Sequence, residues 1–217
     1  MLAIIPARGG SKRLPRKNIL PFNGRPIISY PIRSALESGL FKKIIVSSDD
    51  DEILSIAREY GAYGVKRPSE LSEDWSSEID AYAHVLENEQ CDYFCGIYPT
   101  AVFLKTSEIK GAFIELMQRK ANICMGVTKF NDQHPFQTIL QRGNGYYSLW
   151  VPELNEQTPY PDAYASNGSL YWFKNEKPLR YFPEKMTVYP TFNIDINNID
   201  DFKKAERVYR ECLNQII

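Results

Sequence analysis

The chain has 217 residues, a formal net charge of −1 and 43% hydrophobic residues. That length supports one domain with a full core, and near-neutrality removes any bulk attraction to nucleic acid or to a membrane surface. No apolar run approaches the roughly 20 residues of a membrane span. The start, Met1-Leu2-Ala3-Ile4-Ile5-Pro6, is too short and lacks the basic lead of a signal peptide, so a cytoplasmic location is expected. Cys91, Cys95, Cys124 and Cys212 repeat no zinc-ligand spacing and read as reduced thiols.

Leu2 to Pro6 predicts a buried strand running straight into the loop Ala7 to Asn18. Ile27 to Ser38 predicts a helix, bent or started late by Pro31. Lys43 to Ser47 is a strand rich in β-branched residues. Asp50 to Tyr60 is a helix with Ile53, Leu54, Ile56 and Ala57 on one face. Ala62 to Lys66 is a weaker strand, Ser76 to Glu89 a helix, Tyr93 to Tyr98 a strand, Ser107 to Arg119 a helix and Ile123 to Thr128 a strand. This alternation predicts an α/β fold, a doubly wound and mostly parallel sheet covered on both faces. Ligands of such sheets gather at the carboxyl ends of the strands.

Residues 131–190 break the rhythm. They are rich in Tyr, Pro and Asn, with a hairpin-turn signal at Gly143-Asn144-Gly145 and a strand signal from Gly168 to Phe173. They are expected to form a small β-rich insertion, whose exposed aromatics suit a dimer lobe, within a single domain spanning 1–217. A last helix is predicted from Ile199, capped by Asn198, with Asp200 and Asp201 at its positive end.

Arg8, Lys12, Arg13, Arg16 and Lys17 crowd the first loop, with no acidic residue among them. Gly9 and Gly10 allow close approach of the backbone, whose N–H groups could cradle phosphate oxygens. Transfer at a nucleotide α-phosphate needs such charge, because the departing pyrophosphate must be neutralised. The loop has neither the Walker spacing nor G-x-G-x-x-G. On glycine and charge alone, a solvated basic loop is an equal reading.

The positions of Arg8, Ser11, Pro15, Lys17 and Asn18 go further: Ala7 to Asn18 resembles the nucleotide-binding loop of the CMP-nonulosonate synthetases, the family that includes CMP-sialic acid synthetases. The resemblance implies that Arg8 and Lys17, with the backbone of Gly9 and Gly10, bind a triphosphate, and that Ser11 and Asn18 hold the nucleotide. Ile45-Val46-Ser47-Ser48-Asp49-Asp50 is similar to the family's acidic strand end, although Asp50, Asp51 and Glu52 read more simply as helix N-terminal charges. Arg67-Pro68-Ser69-Glu70-Leu71, followed by Asp74, resembles the family's R-P-x-x-L segment and gives Arg67 the cytosine, whose O2 and N3 acceptors suit a guanidinium fork. Ser77 falls near a family hydroxyl that contacts the nucleotide, and reads equally as a helix N-terminal serine.

Ile97-Tyr98-Pro99-Thr100-Ala101 stands where sialic acid synthetases have L-Q-P-T-S, and looks like the pseudaminic acid branch. This implies Tyr98 at the sugar and Thr100 near the ribose or sugar. His134-Pro135-Phe136-Gln137 aligns with a segment whose lysine binds the sugar carboxylate from the neighbouring subunit; Gln137 takes that sugar-binding place without the charge. Asn167-Gly168-Ser169-Leu170-Tyr171 resembles N-G-A-I-Y of the sialic acid branch and adds Tyr171 to the sugar side, although Leu170 to Phe173 read more simply as a buried strand of packed aromatics. Asn193-Ile194-Asp195-Ile196-Asn197 resembles the family's D-I-D, whose aspartates reach magnesium and position the sugar hydroxyl. Here Asn197, a neutral oxygen ligand, replaces the second one. Alternation puts 195 and 197 on one side of an extended segment.

The resemblance thus implies a Rossmann-like homodimeric nucleotidyltransferase that joins CTP to an acidic nine-carbon sugar with Mg2+. Arg8, Lys17 and Asp195 would carry the chemistry, and no covalent enzyme intermediate is needed. Pseudaminic acid is the favoured sugar. Sialic, legionaminic and 3-deoxy-octulosonic acids stay open, as does a nucleotide-binding homologue of weak catalysis, given Gln137 and Asn197. Neither nucleic acid nor membrane is expected as a partner.

Overall fold

Leu2–Pro6 forms β1, buried at every position. Such an unalternating apolar run fits a strand covered on both faces. The computed structural model describes residues 1–73, 75–130, 135, 139–141, 147–149 and 162–214. After β1 and the basic loop come a short hairpin, β2 (Pro21–Phe22) and β3 (Arg25–Pro26). It turns through Asn23 and Gly24, both at positive φ. Helix α1 (Ser29–Ser38) starts two residues later than its apolar pattern. Pro31 then falls in the first turn, where its missing N–H costs no helical hydrogen bond.

The expected alternation follows. It comprises β4 (Lys43–Ser48), α2 (Asp51–Glu59), β5 (Tyr63–Lys66), α3 (Glu78–Leu86), β6 (Tyr93–Ile97), α4 (Thr106–Arg119) and β7 (Ile123–Lys129). Two short strands, β8 (Ile139–Gln141) and β9 (Tyr147–Leu149), pair only with each other. The chain then returns through β10 (Tyr164–Lys174) and β11 (Met186–Pro190) and ends in α5 (Ile199–Asn214).

The main sheet runs β11-β7-β10-β6-β1-β4-β5. All neighbours are parallel except β10, which lies antiparallel between β6 and β7. From β1 the chain winds outward through β4 and β5, then crosses to β6 on the other side. The crevice between the carboxyl ends of β1 and β6 is therefore the switch point where doubly wound sheets bind ligands.

The sequence expectation for 131–190 needs one correction. Residues 164–174 and 186–190 are strands of the main sheet, not of a separate insertion. Leu170, Tyr171, Trp172 and Phe173 are all buried, so consecutive residues on both faces need cover and the strand belongs inside the sheet. Trp172 donates its indole N–H to the Ile109 carbonyl (3.0 Å) and pairs in register with Cys95 and Cys124. All four cysteines are free; burial raises the Cys95 thiol and pushes Cys124 up to about 12, so both behave as packing groups. Gly143-Asn144-Gly145 lies outside the described residues.

An aromatic cluster delivers the C-terminal segment to the crevice. Phe22 of the hairpin meets Tyr30, Phe202 and Tyr209 edge-on, with ring centroids 5.3–5.6 Å apart. This clamps α5 beside the first loop and leaves residues 195–197 at the mouth of the crevice. No described helix is long and apolar enough to cross a membrane.

Candidate active site

A cleft of about 590 Å³ opens at the carboxyl ends of β1, β5 and β6. The first loop supplies Arg8, Ser11, Lys12, Arg13, Lys17 and Asn18, with Arg67, Ser77, Tyr98, Thr100, Asp195 and Asn197 around them. Most of the residues singled out by sequence thus face one space.

The glycines do not line it. The Gly9 amide donates to Asp49 Oδ1 (2.9 Å), and a Cβ on Gly9 would stand 2.8 Å from Asp50 Oδ2. Gly9 is thus the close-packing point of the loop on α2, and Asp49 is its anchor. Asp50 caps α2, accepting from the amides of Glu52 and Ile53 (3.0 and 3.1 Å). Arg16, at φ 57, bridges Asp50 and Glu52. The Arg16 hydrogen bond holds the Asp50 carboxyl below the usual carboxylate range. Arg16 therefore builds the loop's frame, and Arg8, Lys12, Arg13 and Lys17 are the cations turned to the cleft.

Lys17 Nζ donates to the Ile196 carbonyl (2.7 Å), tying the loop to the C-terminal segment. Burial lowers its pKa, and nearby Asp195 opposes that shift. Asn18 donates to the Arg8 carbonyl (2.9 Å), while its buried Oδ1 has no partner among the described residues. An unpaired buried acceptor on a cleft wall marks a place for a ligand donor.

Asp195 is held by Asn197 and seated against Gly168. Its Oδ2 accepts from Asn197 Nδ2 (2.8 Å), and Asn197 Oδ1 accepts from Arg13 (2.8 Å). Asp201 Oδ2 accepts the amides of Asn197 and Asn198 (3.0 and 3.1 Å), and Asn198 caps α5 as expected. Behind Asp195, β10 shifts register between Ser166 and Tyr171, and Gly168 takes φ +65. A Cβ on Gly168 would sit 3.1 Å from Asp195 Oδ1. Under this bulge Asn167, Ser169 and Thr191 form a buried knot: Asn167 Nδ2 donates to Thr191 O and Oγ1 (both 2.9 Å), and Ser169 Oγ to Asn167 Oδ1 (2.7 Å). Asn193 straps the segment on by donating to the carbonyls of Asn167 and Gly168 (both 2.9 Å).

Arg67 directly follows β5, is 5% exposed, and donates from Nε to Ser72 Oγ (2.9 Å). Burial lowers its pKa, with Asp49 opposing. A buried guanidinium beside a strand end, facing a polycationic loop across a cleft, is an arrangement for a base at one end and phosphates at the other.

A cytidylyltransferase family model matches residues 2–191. The chain belongs to that family. The pseudaminic acid cytidylyltransferase of Campylobacter jejuni is 32% identical over 224 residues, covering 96% of each chain. An N-acylneuraminate cytidylyltransferase A of Danio rerio is 30% identical over 216 residues, covering 94% of this chain and 50% of that one. A solved CMP:2-keto-3-deoxy-manno-octonic acid synthetase complexed with CTP superposes with a TM-score of 0.72 over 97% of this chain and 98% of that one, at 14% identity. That identity supports the shared fold alone. The chain is thus a nucleotidyltransferase that transfers CMP.

In this cytidylyltransferase, Ser77 both lines the cleft and caps α3, its Oγ accepting from the Asp80 amide (3.3 Å). The two sequence readings of Ser77 are therefore compatible. Thr100 is buried in the wall. Tyr98 faces the cleft, with its ring centroid 5.8 Å from that of Tyr171. Tyr171 stands behind it: it is 6% exposed, and its hydroxyl is hydrogen-bonded to Ser166. The sequence had put Tyr171 against the sugar; the structure makes it the support of Tyr98, because β10 is interior. Gln137, His134 and Asp74 lie outside the described residues.

No cluster of three His, Cys, Asp or Glu among the described residues could hold a metal. The donor set here is one carboxylate, Asp195, and one amide oxygen, Asn197. Mg2+, which takes one or two protein oxygens and completes its shell with phosphates and water, fits Asp195 directly and Asn197 once Arg13 turns from its oxygen to a phosphate.

Sequence reasoning missed Glu78, Tyr181 and the knot. Tyr181 donates to Glu78 Oε2 (3.0 Å) at the tyrosine end of the cleft. The polar Asn167-Gly168-Ser169 leading into an apolar strand was a signal for the knot; Tyr181, in a Tyr-rich stretch, carried none.

Proposed function

We propose that this cytidylyltransferase couples CTP to pseudaminic acid, an acidic nine-carbon sugar, and releases pyrophosphate. The observation that carries this reading is Tyr98. It occupies the cleft wall after β6, where a phenol cannot reproduce the two-way hydrogen bonding of an amide. The similarity to the Campylobacter jejuni enzyme along nearly the whole chain supports the same sugar.

Arg67 reads the cytosine O2 and N3, and the triphosphate extends along Arg8, Lys12, Arg13 and Lys17. The C2 hydroxyl of the sugar attacks the α-phosphate, its proton is lost, and the P–O bond to pyrophosphate breaks. Lys17 and Arg8 take up charge on the departing group. Asp195, held against Gly168 and Asn197, orients the attacking hydroxyl. Mg2+, held by Asp195 and Asn197, would neutralise phosphate charge. The enzyme works as a homodimer, with Gln137 among its sugar-binding residues.

A sialic acid reading draws on the match at Asn167 to Tyr171. Those side chains serve the internal knot and the support of Tyr98, so that match speaks for the scaffold rather than the sugar. The test is pyrophosphate release from CTP and Mg2+ with pseudaminic, N-acetylneuraminic, legionaminic and 3-deoxy-octulosonic acids. Pseudaminic acid is expected to give the highest kcat/KM. Preference for another acid refutes the sugar assignment, and no turnover with any refutes the function.

A further inference from the structure

Glu78 is the first residue of α3, half-buried, and lines the cleft beside Tyr98. The Tyr181 hydroxyl donates to its Oε2 at 3.0 Å. The other carboxylate oxygen has no hydrogen-bond partner among the described residues. Tyr181 packs on Tyr171 (5.3 Å between centroids), which packs on Tyr98 (5.8 Å). Burial holds the Tyr98 and Tyr181 phenols well above their ordinary range, so both remain neutral donors. The aromatic wall therefore carries its negative charge at Glu78. Arg67 lies within electrostatic reach of both Glu78 and Arg8, and the first loop adds Arg13 and Lys17 to the same cleft.

We propose that Glu78 is a specificity-determining residue: its free oxygen receives an amide N–H or hydroxyl donor from the substituents of the sugar acid, and its charge turns the sugar's own carboxylate toward the cations of the first loop. The inference rests on the sugar acid being the acceptor substrate. A sugar with one carboxylate and several neutral donors then has one favourable orientation, which brings its anomeric end toward Asp195. Tyr181 is a positioning residue that holds the carboxylate of Glu78.

The test measures pyrophosphate release by wild type, Glu78→Gln and Tyr181→Phe, varying CTP and pseudaminic acid separately, with thermal melts of each protein. Glu78→Gln is expected to raise KM for the sugar about tenfold or more, the size of one charge-assisted hydrogen bond, and to leave KM for CTP within about twofold. Tyr181→Phe is expected to shift the sugar KM in the same direction by less. An unchanged sugar KM in folded Glu78→Gln overturns the proposal, and so does an equal rise in the CTP KM, which would assign Glu78 to the nucleotide. If Glu78→Gln fails to fold, an unchanged sugar KM in Tyr181→Phe overturns it. Wild type inactive with every sugar acid overturns the functional reading and this one together; wild type active with unchanged variants overturns this one alone.

Discussion

Gly168→Ala separates the two things the β10 bulge does. At φ +65 a side chain costs about 1–2 kcal/mol of backbone energy. For a protein of this size that corresponds to a melting temperature lower by about 2–8 °C. The new Cβ would also stand 3.1 Å from Asp195 Oδ1 and 3.3 Å from Cγ, so the carboxylate must move by a few tenths of an ångström. A misplacement of about 1 Å costs on the order of 100-fold in rate, so a shift of this size predicts a kcat about tenfold lower. Gly24→Ala is the control. Gly24 sits at φ +82 with nothing within 4 Å of its would-be Cβ, in the hairpin away from the cleft. It should lose comparable stability and keep wild-type kcat. The assay is steady-state pyrophosphate release beside a thermal melt. If Gly168→Ala melts lower yet turns over like wild type, Asp195 does not depend on its seat against the bulge, and that argument is wrong.

Arg67→Lys keeps a charge and loses the fork; KM for CTP should rise about 10–100-fold, and a fall in kcat alone would place Arg67 at the reacting phosphate instead. Burial lowers the Lys17 pKa, so its ammonium is lost earlier as pH rises. The alkaline fall of kcat/KM for CTP should begin below the usual lysine range, and Lys17→Arg should move that fall upward; a profile identical in the two proteins would remove Lys17 from that limb. Asn197→Asp puts a second carboxylate beside Asp195, and Mg2+ titration of the activity should half-saturate at lower concentration. An unchanged titration would mean that residue 197 does not ligate the metal.

Most of the parallel half of the fold was legible because β1, β4, β6 and β7 are apolar runs ended by a polar residue or a proline. The site was legible where chemistry is written in consecutive residues, as in the first loop, at Arg67 to Leu71 and at Asp195 to Asn197. What escaped were contacts between distant segments. Arg16 reads like any other loop cation until Asp50 and Glu52 are seen to occupy it. Tyr171 reads like a site residue until β10 is found inside the sheet. The knot joins residues 167, 169 and 191, whose partners come from β10 and the end of β11, and Gly126 of β7 leaves it room: a Cβ there would lie 2.2 Å from Ser169 Oγ. No local pattern encodes such pairings.

The antiparallel strand β10 also sets the order in which this protein can be assembled. β6 and β7 are not neighbours in the sheet; each hydrogen-bonds to β10 instead. A chain leaving the ribosome has made both strands by residue 129, yet the strip that joins them begins only at residue 164. Until then their facing edges are open and apolar, a state prone to pairing with other chains. The late-made segment 164–174 closes both edges at once and, through its bulge, forms the seat of Asp195. Joining β6 to β7 and forming the seat of Asp195 are therefore one folding event.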